Sequence, residues 1–278
     1  MMHTEERKGS RPKRVGIAVL GTVGKSLAKA LDQGIPGIEL SAVAARNASA
    51  AEEWIAAQLS GKPRLVGFEE MAELCDIVVE CAPAQLLTEI AAPVLTAGKQ
   101  IVVLSCGALL GHDELIDMAR EHGGQIIIPT GALLGLDAVT AAAEGTITSV
   151  KMVTRKPVKG LLGAPYLAEQ GITLDGIVER TRIFSGTARE AAKGFPANLN
   201  VAVALSLAGI GPDQTKLEIW ADPDITRNMH TITVESDAAL FSMSIENIPT
   251  NNPKTGRITA QSVLALLRKM SSPMRVGT

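Results

Sequence analysis

Chemistry in this chain can be sought at one histidine, a few cations and one glycine turn. Four histidines are present. His3 lies near the amino terminus, and His112 and His122 sit among Asp113, Glu114 and Glu121, which reads as a solvated helix. His230, in RNMHTITVE, differs. Alternate residues of a strand share a face, so His230 goes with Ile232 and Val234 toward a covered side. Such an imidazole is a satisfied core residue or, facing a cleft, a proton-transfer group working from an ordinary pKa of about 6.5. No two histidines have zinc-ligand spacing and there is no H-E-x-x-H, so no metal site is expected. Arg155 and Lys156, in TRKP, and Lys254, in NNPKTG, are either solvated or cations for a substrate carboxylate. Three cysteines, Cys75, Cys81 and Cys106, form no C-x-x-C pair. Their odd number suits a reduced, cytoplasmic protein. Cys81 and Cys106 fall at strand ends, as small core residues or as a catalytic thiol.

The turn that could hold a cofactor lies in residues 15–31, VGIAVLGTVGKSLAKAL. Val15, Ile17, Val19 and Leu20 form a short apolar run, and Gly21 and Gly24 follow at a spacing of three. Leu27, Ala28 and Leu31 then repeat as one face of a helix does. The first N–H groups of such a helix are unpaired and its dipole favours an anion; a dinucleotide pyrophosphate is the usual occupant. The full fingerprint is G-x-G-x-x-G, and here Val19 stands in the first place. Gly21, Thr22, Val23 and Gly24 are the candidate phosphate contacts; an ordinary strand–turn–helix with packing glycines is the alternative. Arg46 ends the next strand, where an NAD-selective site usually has Asp or Glu. It meets a 2′-phosphate, stacks on adenine or is solvated. Asn198, in FPANLN, caps a helix or bonds a nicotinamide carboxamide.

The elements that must position these residues can be read from the pattern. Strands are expected at 38–45, 74–82, 100–105 and 125–128, and helices at 48–60 and 85–95. Alternating strands and helices imply right-handed crossovers and a parallel sheet covered on both faces. The expected fold class is α/β, a Rossmann-type doubly wound parallel sheet. Ligands of such sheets sit at the carboxyl ends of the strands. Cys81-Ala82-Pro83, Ser105-Cys106-Gly107 and Pro129-Thr130-Gly131-Ala132 fall there. Cys81 and Ala82 therefore join the candidate cofactor contacts. From about residue 145 the pattern changes. Strands are expected at 147–154, 217–220, 229–235 and 239–246, with a helical stretch at 188–207 broken near Phe195-Pro196. Helices no longer alternate with them, which implies a second α+β domain on a mixed or antiparallel sheet. A final amphipathic helix carries Ile258, Val263, Leu266 and Leu267. The expected organisation is a disordered tail at 1–13, a dinucleotide-binding domain at 14–130 and 250–278, and a substrate domain at 131–249.

Composition narrows the function classes. The chain has 278 residues, 46% of them apolar, enough for a sizeable core. Its net charge of −2 points to no nucleic-acid partner. No apolar stretch of about 18 residues is free of charge and proline, so no membrane span or membrane partner is expected.

Taken in order, several segments resemble the L-aspartate dehydrogenase family. They are VVECAPAQLLTEIAAPVLTAGKQIVVLSCGAL, IPTGALLGLDAV, VTRKP, FPANLNVAVALSLAGIGPDQTKLEIWADP, RNMHTITVE and NIPTNNPKTG. The resemblance covers everything after the amino-terminal tail. It implies a two-domain subunit, expected as a cytoplasmic homodimer, that binds NAD or NADP. Such enzymes oxidise L-aspartate to iminoaspartate, which hydrolyses to oxaloacetate and ammonia or feeds pyridine nucleotide biosynthesis. By resemblance His230 is the active-site histidine, and Ala132 and Asn198 contact the nicotinamide cofactor. Asn198, His230 and Lys254 are the expected contacts to a small dicarboxylate substrate. Two alternatives stay open. One is an imine reductase acting on another small dicarboxylate, as in dihydrodipicolinate-reductase-like enzymes. The other is a dinucleotide-binding protein without turnover.

Overall fold

The computed structural model describes residues 11–196, 199–249 and 256–277. They form two units. One extends to Pro129 and takes in Ala260–Val276; the other is Thr130–Thr259.

The first unit comprises β1 (Lys13–Ala18), α1 (Thr22–Asp32), β2 (Ile38–Ala44), α2 (Ala48–Gln58), β3 (Arg64–Leu65), α3 (Phe68–Leu74), β4 (Ile77–Glu80), α4 (Leu87–Thr96), β5 (Gln100–Val103), α5 (Asp113–His122) and β6 (Gln125–Ile127). The strands are parallel and lie in the order β3-β2-β1-β4-β5-β6. The sheet is thus the expected doubly wound type, and its order reverses between β1 and β4, where such sheets bind ligands. All four residues of β4 are buried, as a strand covered on both faces must be. The expected tail ends earlier than residue 13, because Lys13 already belongs to β1 and the Arg11 side chain bonds Asp76 at 2.9 Å. Residues 1–10 lie outside the described part.

The second unit comprises α6 (Leu136–Ala143), β7 (Ile147–Pro157), α7 (Pro165–Glu169), β8 (Thr181–Thr187), α8 (Ala188–Gly194), α9 (Asn200–Ala208), β9 (Lys216–Asp222), β10 (Asn228–Ser236) and β11 (Leu240–Asn247). Its sheet runs β11-β10-β7-β9-β8. It is mixed: β7 is parallel to β9 and antiparallel to β10, and β8 and β11 add antiparallel edges. One face buries Val150, Met152, Leu217, Ile219, Ile232 and Val234. The helical stretch expected at 188–207 is two helices, with Phe195 at the break. Phe195 is fully buried against Tyr166 and Phe184, at ring-centroid distances of 5.2 and 5.8 Å.

The chain then returns to the first unit through α10 (Ile258–Ser271). Ala260, Val263 and Leu267 enter the same core as β1 and α1. Val263 and Leu267 expose no surface, and each contributes about 1.5–3 kcal/mol by burial.

Candidate active site

The glycine turn closes although valine holds its first place. Val19 has φ 78°, in the left-handed region, and among the described residues no other non-glycine residue does. This conformation is the one a glycine would supply there, and for a β-branched side chain it is strained. The Val19 N–H donates to the Ala44 carbonyl at 3.1 Å, which fixes the turn to β2. Gly24 is needed for packing: a Cβ there would lie 2.3 Å from the Val19 carbonyl oxygen. A Cβ on Gly21 would meet only the Cys81 carbonyl, at 4.0 Å. Gly21 caps α1 without any side-chain hydrogen bond, and the first turn holds no acidic residue. The opening N–H groups of α1, on Thr22, Val23 and Gly24, are therefore available to an anion. These residues fit a dinucleotide pyrophosphate.

Arg46 is exposed just past the carboxyl end of β2. The next residue, Asn47, caps α2 by accepting the Ala50 N–H at 3.1 Å. Its short amide is thus committed to the helix end where other sites carry an acid. The Cys81 N–H donates to Ala18 at 3.0 Å, so the turn after β4 is held beside the glycine turn. Burial and the neighbouring Glu80 carboxylate push the Cys81 thiol up, away from thiolate reactivity.

Glu80 was not singled out by the sequence. It ends β4 with no exposed surface. Its carboxylate accepts the N–H groups of Ala82 at 2.6 Å, Leu104 at 3.0 Å and Ser105 at 2.8 Å, and the Ser105 hydroxyl at 2.9 Å. It ties the turn after β4 to the turn after β5. Burial pushes its pKa up and the four donors pull it back. The only sequence signal is a carboxylate closing an apolar run, IVVE.

In the second unit His230 is 3% exposed and pairs across the ladder with Thr154. Its Nδ1 lies 3.1 Å from the Thr154 hydroxyl. Burial, then the charge of Lys156, lowers its pKa to about 3. The imidazole is neutral at pH 7, with one nitrogen a donor and the other an acceptor. Beside it the apolar face of the sheet turns polar: Thr154, Lys156, His230 and Asn247 are all buried. Asn247 donates through Nδ2 to the Ala132 carbonyl at 2.8 Å, fixing the turn in which Leu133 N–H bonds Thr130. The Asn247 Oδ1 is buried with no hydrogen-bond partner among the described residues. A buried orphan acceptor of this kind calls for a ligand or water. Ala132 and His230 are thus both built into this unit. Asn198 and Lys254 lie outside the described residues.

His112 is half-buried, with Nδ1 2.6 Å from Glu114 Oε1, and His122 is exposed. A cavity of about 510 Å³ opens among Arg14, Ser41, Lys62 and Arg64 at the amino ends of the first sheet. Ligands of such sheets bind at the opposite ends. Among the described residues no group of three or more His, Cys, Asp or Glu side chains could hold a metal ion. None of their helices is long and apolar enough to cross a membrane.

A doubly wound sheet with an uncapped helix opening on its glycine turn defines a dinucleotide-binding protein, here with a second unit that carries a buried, neutral histidine. Comparison with known proteins narrows this further. Residues 20–129 match the family described as homoserine dehydrogenase, NAD binding domain, and residues 137–270 match aspartate dehydrogenase, C-terminal. The chain is 60% identical to L-aspartate dehydrogenase 3 of Bordetella bronchiseptica over 265 residues, covering 95% of this chain and 97% of that one. It is 56% identical to L-aspartate dehydrogenase of Bradyrhizobium diazoefficiens, covering 98% and 97%. The crystal structure of aspartate dehydrogenase from Thermotoga maritima shares the fold, with a TM-score of 0.70 at 24% identity over 95% of this chain and 99% of that one. The chain belongs to the L-aspartate dehydrogenase family.

Proposed function

We propose that this chain is an NAD(P)-dependent L-aspartate dehydrogenase, converting L-aspartate through iminoaspartate to oxaloacetate and ammonia, or the reverse. The observation that carries the reading is the buried His230–Thr154 pair beside Lys156, in a chain whose other unit has a pyrophosphate turn. When bound, a nicotinamide dinucleotide supplies the acceptor for the hydride leaving the amine-bearing carbon. In the first unit the α1 N–H groups of Thr22, Val23 and Gly24 would hold its pyrophosphate, with Arg46, Cys81 and Ala82 as further contacts; Ala132 is the contact expected from the second unit. Glu80 keeps the turns at 81–82 and 104–105 in place for that contact.

His230 orients the substrate and activates the water that attacks the imine. For that work its Nδ1–H donates to the Thr154 hydroxyl, which leaves the Nε2 lone pair to take the water's proton. Burial keeps the ring neutral in the free protein, and the negative charge of a bound dicarboxylate would raise its pKa toward the range a general base needs. Asn198 and Lys254 complete the substrate contacts expected from the family. A cytoplasmic homodimer that delivers iminoaspartate to pyridine nucleotide synthesis belongs to the same reading; elution at twice the chain mass in size-exclusion chromatography is the expected outcome, and elution at the mass of one chain would refute the dimer.

The deciding assay mixes oxaloacetate and ammonia with NADH or NADPH and follows nicotinamide absorbance. Oxidation of either cofactor that depends on both partners is the expected outcome, and the better cofactor reports what Arg46 selects. Turnover of a different imino dicarboxylate alone overturns the substrate. Dinucleotide binding with no turnover of any overturns the enzyme.

A further inference from the structure

Asn247 closes β11 and is 3% exposed. Its orientation follows from its partner. The Ala132 carbonyl can only accept, so the amide atom 2.8 Å from it must be the Nδ2 donor. Oδ1 therefore faces another way, buried and with no hydrogen-bond partner among the described residues. A buried acceptor left without a donor is costly, and in a native fold it needs a reason. Gly256 adds a second sign. A Cβ there would press on this amide, 3.3 Å from both the Asn247 Cβ and Oδ1. The chain thus carries no side chain where one would crowd that oxygen.

The register puts this acceptor beside His230. Ile245 stands opposite His230 across the β10–β11 ladder, and Asn247 is two residues further along β11. Positions two apart share a face. His230 and Asn247 are therefore diagonal neighbours on one face, with Cβ atoms roughly 7 Å apart, the spacing of such pairs. Each brings an acceptor to that face: the amide oxygen and, with Nδ1–H on the Thr154 hydroxyl, the imidazole Nε2. Two acceptors repel a carboxylate and suit one nitrogen that carries several N–H donors. An amine is such a group, with three donors as the ammonium and at least one as the imine. We infer that Asn247 is a substrate-binding residue whose Oδ1 accepts an N–H of the substrate's amino nitrogen beside His230. Its Nδ2 meanwhile holds the Ala132 turn, so one amide serves both. The assignment rests on the dehydrogenase reading for the amino dicarboxylate, while its test requires no turnover.

L-Aspartate and succinate differ only in the amino group, so the ratio of their affinities isolates what that group contributes. Calorimetry on the NADH-saturated protein measures both, because the reduced dinucleotide takes no hydride. Wild type should bind L-aspartate more tightly than succinate. In Asn247→Ala that preference should fall by roughly tenfold, the scale of one hydrogen bond to a charged group. Damage to the Ala132 turn alone would weaken both ligands alike. Asn247→Asp removes the donor to Ala132 but keeps an acceptor, so it should retain the preference. Wild type that binds succinate as tightly as L-aspartate, or binds neither, overturns the inference without any variant. So does a wild-type ratio in Asn247→Ala, or a ratio in Asn247→Asp as low as in Asn247→Ala, with each variant folded by thermal melt. If the ratios behave as expected but oxaloacetate and ammonia are not turned over, the dehydrogenase reading fails and the assignment of Asn247 stands.

Discussion

In the first unit the groups open to a ligand are peptide N–H groups around Gly21–Gly24. In the second the polar groups are side chains, Thr154, Lys156, His230 and Asn247, buried at one end of a sheet face. The first kind of site depends on backbone shape. Gly24 admits the close approach, and even Val19 is held in a glycine conformation to preserve it. The second kind depends on burial, which makes His230 neutral and encloses an Asn247 Oδ1 that has no hydrogen-bond partner among the described residues. One site should therefore fail through sterics and the other through chemistry.

Four changes sharpen or break this contrast. The largest effect is expected for His230→Ala, which should lower turnover by about 10²–10⁴-fold while dinucleotide binding, read by NADH fluorescence, persists. Wild-type rates in that variant would refute the role of His230. Gly24→Ala should do the reverse. Its new Cβ, 2.3 Å from the Val19 carbonyl, forces the backbone apart, at a cost of about 1–3 kcal/mol. Dinucleotide affinity should drop by roughly tenfold or more, with the variant still folded by thermal melt. An unchanged Kd for NADH would show that the turn is not the pyrophosphate site.

The next prediction concerns pH. The His230 pKa is lowered to about 3 in the folded chain, against about 6.5 when unfolded. Between those values the unfolded chain binds the extra proton, so this residue's contribution to stability is present above about 6.5 and is lost as pH falls toward 3. Urea unfolding from pH 7.5 to 4 should show the decline, and His230→Gln should flatten it. An identical slope in the variant would mean the ring is not held neutral by burial. The smallest effect is expected for Val19→Gly. It removes strain of about 1–3 kcal/mol and adds about 0.5–1 kcal/mol of chain entropy cost. The melting temperature should rise by about 2–4 °C, with NADH binding kept; a fall would mean that valine packing outweighs the strain.

The backbone site was legible in the sequence, because strand, glycine pair and helix period lie within residues 15–31 and each is a local signal. The side-chain site was legible only in part. His230 stood out through its alternation with Ile232 and Val234. Asn247 did not, and Lys156 was read only as one of several cations, either solvated or carboxylate-binding, because strands were expected to end at 154 and 246, whereas β7 continues to Pro157 and β11 to Asn247. Strand ends fray into turns and give the weakest pattern, and it is there that the buried polar groups sit. Extending the alternation Val150, Met152, Thr154 by one step would have placed Lys156 on the buried face rather than in solvent. Two other strands gave little local pattern. β3 has two residues, and β8 is an edge strand in which only Ile183 and Phe184 are buried. Glu80 was hidden for another reason: its partners are backbone N–H groups from the end of a different strand, which no local spacing records.

The route of α10 bears on how the polypeptide is made. The residues that seal the core around β1 and α1 include Val263 and Leu267, which leave the ribosome after all of β7–β11. During synthesis the opening segment must wait with an unsealed apolar surface, while the inserted unit already has its own core. Nascent chains arrested before Ala260 should accordingly protect the later-made sheet from protease sooner than the earlier-made one.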